Sequence, residues 1–242
     1  MSHRKRLISK QVWSLCHVLF LCLLIGLVGC QQVSPQAANG GDESATTTSN
    51  ETTPQTSDEQ WQDLFNGRDL SGWKVINFGG QEEFVVQDQS IVGPPGYPLA
   101  GIVSEHEDLP KTNYELRLDA QKKGGTDFFC CLTFPVGNSH CSLVLGGWGG
   151  TVSGISCIDR RDASSNSTQF LRRYDQGRWY AVRVRVTDDR LTCWLDDQQV
   201  VDLELAGIQL QVRTEVLPCR PLGLCGFETE TAWKNIQLKR LQ

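Results

Sequence analysis

Two aspartates and a tryptophan set among glycines are the residues with the clearest chemical potential in this 242-residue chain. Asp127 stands at the entrance to the apolar run Phe128-Phe129-Cys130-Cys131-Leu132-Thr133-Phe134. Asp159 opens the polar loop Asp159-Arg160-Arg161-Asp162, which continues to Asn166. Paired carboxylates can divide the work of general base and general acid, and loops on a rigid scaffold are a common place for such groups. Between them, Gly146-Gly147-Trp148-Gly149-Gly150 surrounds one indole with residues that have no side chain. That ring can stand out as a flat platform for a sugar, with Arg161, Asp162 and Asn166 as polar contacts. It can equally fold over an apolar sheet edge while the glycines make tight turns, and each loop residue can equally be a solvated one.

Other chemistries lack their residue patterns. After the first thirty residues the only histidines are His106 and His140, no cysteines stand in a C-x-x-C pair, and there is no G-x-S-x-G sequence. A zinc site or an elbow-type serine nucleophile is therefore not expected. The one metal option is calcium on oxygen ligands from Asp159, Asp162 and neighbouring carbonyls. Cys130, Cys131, Cys141, Cys157, Cys193, Cys219 and Cys225 are odd in number, so they cannot all pair. Cys219 and Cys225 flank a short Pro-containing segment that could close on itself. Cys131, Cys157 and Cys193 fall in strand patterns as small core residues, and the adjacent Cys130 and Cys131 should point to opposite faces.

A further reactive thiol stands near the start. Arg4, Lys5, Arg6 and Lys10 precede an apolar run from Val18 to Val28 that ends in Leu27-Val28-Gly29-Cys30. A basic start, an apolar stretch too short for a span of about 20 residues, and a small residue before cysteine are the layout of an export signal. Residues 1–29 are expected to be removed by a lipoprotein signal peptidase, leaving Cys30 as the lipidated first residue. Gln31, rather than Asp, after that cysteine resembles outer-membrane lipoproteins and implies the bacterial cell envelope as the location. Cleavage removes four basic and no acidic residues, taking the formal charge from −5 to −9. Phosphate neutralisation needs clustered Lys and Arg, so nucleic acid is excluded as a partner.

From Gln31 to about Asp58 the chain is Ser, Thr, Gln, Asn and Pro with almost nothing apolar. Such a stretch cannot offset its ordering entropy by burial, and residues 30–58 are expected to be a lipid-attached tether with ends on the order of 30 Å apart. Residues 59–242 have the size of one domain.

The elements that must position Asp127, Trp148 and Asp159 are strands. Tyr114, Leu116, Leu118 and Ala120 alternate with polar residues, as do Tyr180, Val182, Val184 and Val186. That period of two marks strands with one buried and one wet face. Asp188-Asp189 and Asp196-Asp197 supply turn chemistry, so the segments near 180–187, 191–195 and 199–201 form a meander. The apolar run 128–134 reads as a strand covered on both faces. Leu143–Leu145, Val152–Ile158, Leu222–Phe227 and Ile236–Leu241 complete the set, and no segment has the pattern of a long amphipathic helix. Trp73 and Trp194 are expected in packing. The class is all-β, a β-sandwich or jelly roll.

Asp63-Leu64-Phe65-Asn66-Gly67-Arg68-Asp69-Leu70-Ser71-Gly72-Trp73 resembles the opening signature of the 3-keto-disaccharide hydrolase domain family. Tyr114-Glu115-Leu116-Arg117, Gly177-Arg178-Trp179-Tyr180, Trp194-Leu195-Asp196-Asp197 and Lys234-Asn235-Ile236-Gln237-Leu238 follow in the same order, covering about residues 61–241. The resemblance implies a concanavalin-like jelly roll that acts on sugars, with hydrolysis or elimination at 3-keto-glycosides. The chain departs from the family's pattern at Gly124–Phe129, Ser142–Leu145 and Gly223–Glu228, so no catalytic residue carries over by identity. Two functions are expected: an enzyme on 3-keto-glycosides using Asp127 or Asp159 with Trp148 holding the ring, or a carbohydrate-binding module of the same fold without catalysis.

Overall fold

The computed structural model describes residues 60–80 and 83–242. The export signal, Cys30 and the tether lie outside the described residues. Fifteen strands are formed among those described: β1 (Gln62–Asp63), β2 (Trp73–Val75), β3 (Val85–Gln87), β4 (Ser90–Gly93), β5 (Leu99–Ser104), β6 (Tyr114–Lys122), β7 (Cys130–Val136), β8 (Ser139–Gly146), β9 (Val152–Ser156), β10 (Phe170–Leu171), β11 (Trp179–Val186), β12 (Arg190–Leu195), β13 (Gln198–Glu204), β14 (Gly223–Phe227) and β15 (Thr231–Arg240). They form two antiparallel sheets. The first has the order β13-β12-β11-β6-β15-β4-β3, with β1 paired to β15, and the second runs β10-β9-β8-β7-β14-β5-β2.

The alternation read from sequence sets these faces. Tyr114, Leu116, Leu118 and Ala120 of β6 turn inward with Tyr180, Val182, Val184 and Val186 of β11, while Arg117, Arg183 and Arg185 stay on the outer face. β11, β12 and β13 form the expected meander, and Asp196 and Asp197, at φ 51° and 63°, make the last turn in the left-handed region that two-residue hairpins require. β7 is buried along its whole length, as a strand between a core and a second apolar layer must be. The main core lies between the sheets and includes Trp233, Tyr114, Tyr180, Phe129 and Phe134, all essentially inaccessible.

Trp73 plugs one end of the core, its indole N–H donating to the Leu64 carbonyl at 2.7 Å. Trp194 differs from its expected packing role. It falls between the inward-facing Cys193 and Leu195, lies on the outer face of the first sheet and is only half-buried. The seven described cysteines are buried free thiols. Cys130 belongs to the main core, whereas Cys131, Cys219 and Cys225 share a second apolar cluster with Ile76, Leu99, Val144 and Val216 on the other side of the second sheet. The opposite facing of Cys130 and Cys131 follows from the pleat.

Candidate functional site

That second apolar cluster floors a cleft of about 190 Å³ on the outer face of the second sheet. Cys131 and Val144 line its base beside Ser142 and Ser156, and Leu99, Phe128 and Phe227 make an apolar wall. Asp127 and Trp148 stand at its margin together with Arg213, Glu215 and Val216. Sheet register brings this about: Cys131 is opposite Val144, and Ser142 is opposite Ser156, so outward side chains of β7, β8 and β9 meet on one face.

Trp148 is held by backbone rather than by packing. It is 41% exposed and sits at φ 50°, ψ 51°, with Gly146, Gly149 and Gly150 at φ 77°, 87° and 100°. At Gly150 a side chain is excluded outright, because a Cβ would stand 2.8 Å from the Thr126 carbonyl oxygen. Asp127 closes the loop. Its Oδ2 accepts the Gly149 N–H at 2.9 Å and its Oδ1 accepts the Phe128 N–H at 2.8 Å, while its own N–H donates to Thr229 Oγ1 at 3.1 Å. Each carboxylate oxygen retains acceptor capacity for a ligand. Lys122 lies behind this loop, and burial lowers its pKa against the opposing pull of Asp127.

The polar loop after β9 is divided in its roles. Asp162 Oδ2 accepts Arg213 Nη1 at 2.7 Å, and its Oδ1 accepts the Ser164 N–H and hydroxyl at 3.0 and 2.5 Å, so it fixes Arg213 at the cleft. Arg213 also binds the Glu215 carboxylate through Nε. Asn166 donates to the carbonyls of Ile155, Arg161 and Asp162 at 2.7, 3.1 and 2.8 Å, and its Oδ1 accepts the Thr168 N–H and hydroxyl at 2.9 and 2.6 Å. This amide is the internal pin of its loop. Asp159, at φ 48°, accepts the Gln209 N–H at 2.9 Å and is not among the residues lining the cleft, nor is the exposed Arg161. Asp159 and Asp162 thus face different partners. Among the described residues, no group of three or more His, Cys, Asp or Glu is gathered for a metal ion.

Sequence reasoning missed Arg213 and Glu215. They precede the short 3-10 turn Thr214–Cys219 or lie in it, where no periodicity singles out a charged pair. The alternation of Leu210, Val212 and Val216 with polar residues was the available signal.

Two stacked antiparallel sheets with a partly apolar cleft on one outer face define a jelly-roll sandwich. The chain belongs to the 3-keto-alpha-glucoside-1,2-lyase-like domain family, whose model matches residues 60–239. No curated protein sequence matches it. Among solved structures, the ligand-free transglycosylase Crh5 is similar at 13% identity and a TM-score of 0.50, covering 76% of this chain and 84% of that one. A structure described with endo-acting O-glycanases that members of the human gut microbiota express to initiate mucin breakdown is similar at 13% identity and a TM-score of 0.50, over 72% and 94% of the two chains. SCLam, a non-specific endo-β-1,3(4)-glucanase of family GH16, is similar at 11% identity and a TM-score of 0.49, over 77% and 93%. At these identities the likeness to the first two is one of fold.

Proposed function

We propose that this protein cleaves 3-keto-glycosides in the cleft bordered by Asp127, Trp148, Arg213 and Glu215. The observation that carries the reading is that two carboxylates, a guanidinium and an exposed indole all line one cleft in a domain of this family. A ketone at C3 acidifies the C2–H bond, so one positioned base can start the reaction. Asp127 takes the C2 proton, the electron pair forms the C1–C2 double bond, and the C1–O bond breaks. The departing oxygen takes a proton from water, and the proton taken up by Asp127 passes to the hydroxide left behind. Arg213, fixed by Asp162, is placed to stabilise charge developing on the C3 oxygen. Trp148 supplies the flat apolar face for the ring.

The reading extends to the envelope: Cys30 carries lipid and the Ser/Thr/Gln-rich segment sets the domain away from the membrane. Replacing Cys30 with Ala should abolish incorporation of labelled fatty acid, and equal label on the variant would remove the anchor from the proposal.

A second reading, a carbohydrate-binding module, is favoured by two observations. Both oxygens of Asp127 already hold backbone N–H groups, and the base of the cleft is cysteine, valine and serine. Incubating the purified chain with 3-keto-sucrose and 3-keto-trehalose separates the two. Release of the second sugar, slowed by about 10² to 10⁴-fold in Asp127→Asn, is the expected result. Saturable binding with no product would leave the module.

A further inference from the structure

The outer face of the first sheet carries a second groove, of about 440 Å³, on the side of the sandwich away from the cleft. One cross-strand row runs through it. Gln237 of β15 is opposite Arg117 of β6, Arg117 is opposite Arg183 of β11, and Arg183 is opposite Trp194 of β12. Two like charges directly facing one another on a sheet are destabilising unless something offsets them. Here each guanidinium lies over an indole. Arg183 is 3.8 Å from the Trp194 ring centre and Arg117 is 4.0 Å from that of Trp61. Each ring covers one face of its guanidinium, Arg117 spends its Nε on Gln237 and Arg183 its Nη1 on Glu115, and the remaining N–H groups of the pair are the donors an oxyanion would take.

The counter-charge on this face is unevenly shared. Buried Glu115 is bound by Arg185 at 2.5 Å and lies farther from Arg183, at 3.4 Å, and from Lys239, at 3.8 Å. Arg117 donates through Nε to Gln237 at 2.6 Å and has no carboxylate within ion-pair distance among the described residues. A chain of net charge −5 therefore keeps an under-neutralised arginine pair on one face. Both ends of the groove are shaped by β-bulges, one at Lys234/Gln237 that places Asn235 at φ 53° and one at Cys193/Trp194. Bulges of this kind re-aim side chains beside functional sites. Asn235 donates to Asp119 at 2.7 Å, and this amide–carboxylate pair lines the groove beside the arginines. Amide and carboxylate together supply the donors and acceptors that ring hydroxyls need.

We infer that the Arg117–Arg183 groove is a second saccharide site, one that takes an acidic sugar through its carboxylate or sulfate group. The saccharide half of this inference rests on the carbohydrate reading of the domain, and the oxyanion half rests on the arginine pair alone. Trp61 and Trp194 are positioning residues that hold the guanidiniums, and Asp119 bars a second acid group from the other end.

Native affinity electrophoresis of the full-length chain tests it, with polygalacturonate, dextran sulfate or neutral dextran cast in the gel. Retardation by polygalacturonate or dextran sulfate and not by neutral dextran is expected, the two acidic gels distinguishing carboxylate from sulfate recognition. Arg117→Gln should weaken it about tenfold, as should Arg183→Gln, with unchanged thermal melting as the control. Because Arg183 also touches buried Glu115, Arg117→Gln is the decisive variant if the other misfolds. Trp148→Ala should leave the retardation intact, so failure of the cleft proposal and failure of this one read out separately. No retardation in either acidic gel, equal retardation by neutral dextran, or full binding by a folded Arg117→Gln protein would overturn the inference. Arginine-dependent binding to anionic lipid vesicles without retardation in any polysaccharide gel would also overturn it.

Discussion

The Asp127 carboxylate accepts the Gly149 N–H at 2.9 Å, tying the segment that leads into β7 to the loop that displays Trp148. The same group is therefore both a chemical candidate and a structural clasp, and the two roles respond differently to substitution. Asp127→Asn loses basicity and keeps only one of the two acceptor oxygens, so one of the Phe128 and Gly149 N–H groups loses its partner. Turnover of a 3-keto-glycoside should fall by about 10² to 10⁴-fold, with a smaller loss of stability than Asp127→Ala. Asp127→Ala should lower stability by about 1–3 kcal/mol, since the Phe128 and Gly149 N–H groups both lose their partner. Turnover assays paired with denaturant melts check this. Equal turnover in the wild type and Asp127→Asn would reduce Asp127 to a clasp.

Trp148 separates binding from stability. At 41% exposure, its replacement by Ala should change unfolding free energy by no more than about 0.5 kcal/mol. A sugar stacked on the ring should lose about 1–3 kcal/mol of affinity, the range for aromatic stacking on a flat ligand face. Calorimetry and thermal melting on one preparation give both numbers. A loss of stability approaching the 3–5 kcal/mol of a core aromatic would show the indole to be packing instead.

Much of the fold could be read from residue pattern because its long strands alternate. β6 and β11 follow a strict period of two, and the continuous apolar run of β7 marks a doubly covered strand. β3 and β4 escaped notice because their hairpin turns through Asp88 and Gln89, both at positive φ, without the glycine that normally signals such a turn. In the site, the Trp148 loop was legible because glycines flank the indole, at positive φ at Gly146, Gly149 and Gly150 and with no room for a side chain at Gly150. The Arg213–Glu215 pair was not, because the cleft joins it to Asp127 across distant sequence that carries no periodic signal. Asn166 looked like a ligand contact in sequence, yet its amide is already engaged by four groups of its own loop and the Ile155 carbonyl of β9.

That engagement makes Asn166 testable as a scaffold residue. Asn166→Ala leaves the Ile155 carbonyl and the Thr168 N–H without this partner, and both residues are buried. A loss of about 1–3 kcal/mol is expected, with faster proteolysis between Asp159 and Gln169. The loop also holds Asp162 against Arg213, so affinity at the cleft should fall with it. Unchanged stability together with weakened ligand binding would instead place the amide in direct contact with substrate.

His140 gives the domain an acid-sensitive element. Burial is the main cause that lowers its pKa below the ordinary 6.5, reinforced by the nearby charges of Arg220 and Lys111. The folded state thus binds fewer protons at this ring than the unfolded state does. Its contribution to stability is complete above about pH 6.5 and is lost as pH falls through the lowered value. His140→Gln cannot titrate, so its unfolding free energy should decline less between pH 7 and pH 5 than that of the wild type. Asp69, held down to about 2 chiefly by Ser71 and then by Asn66, titrates well below that window and does not obscure the comparison. Denaturant melts of both proteins at several pH values measure the difference. Parallel pH profiles for the two would show that His140 is not the group responsible.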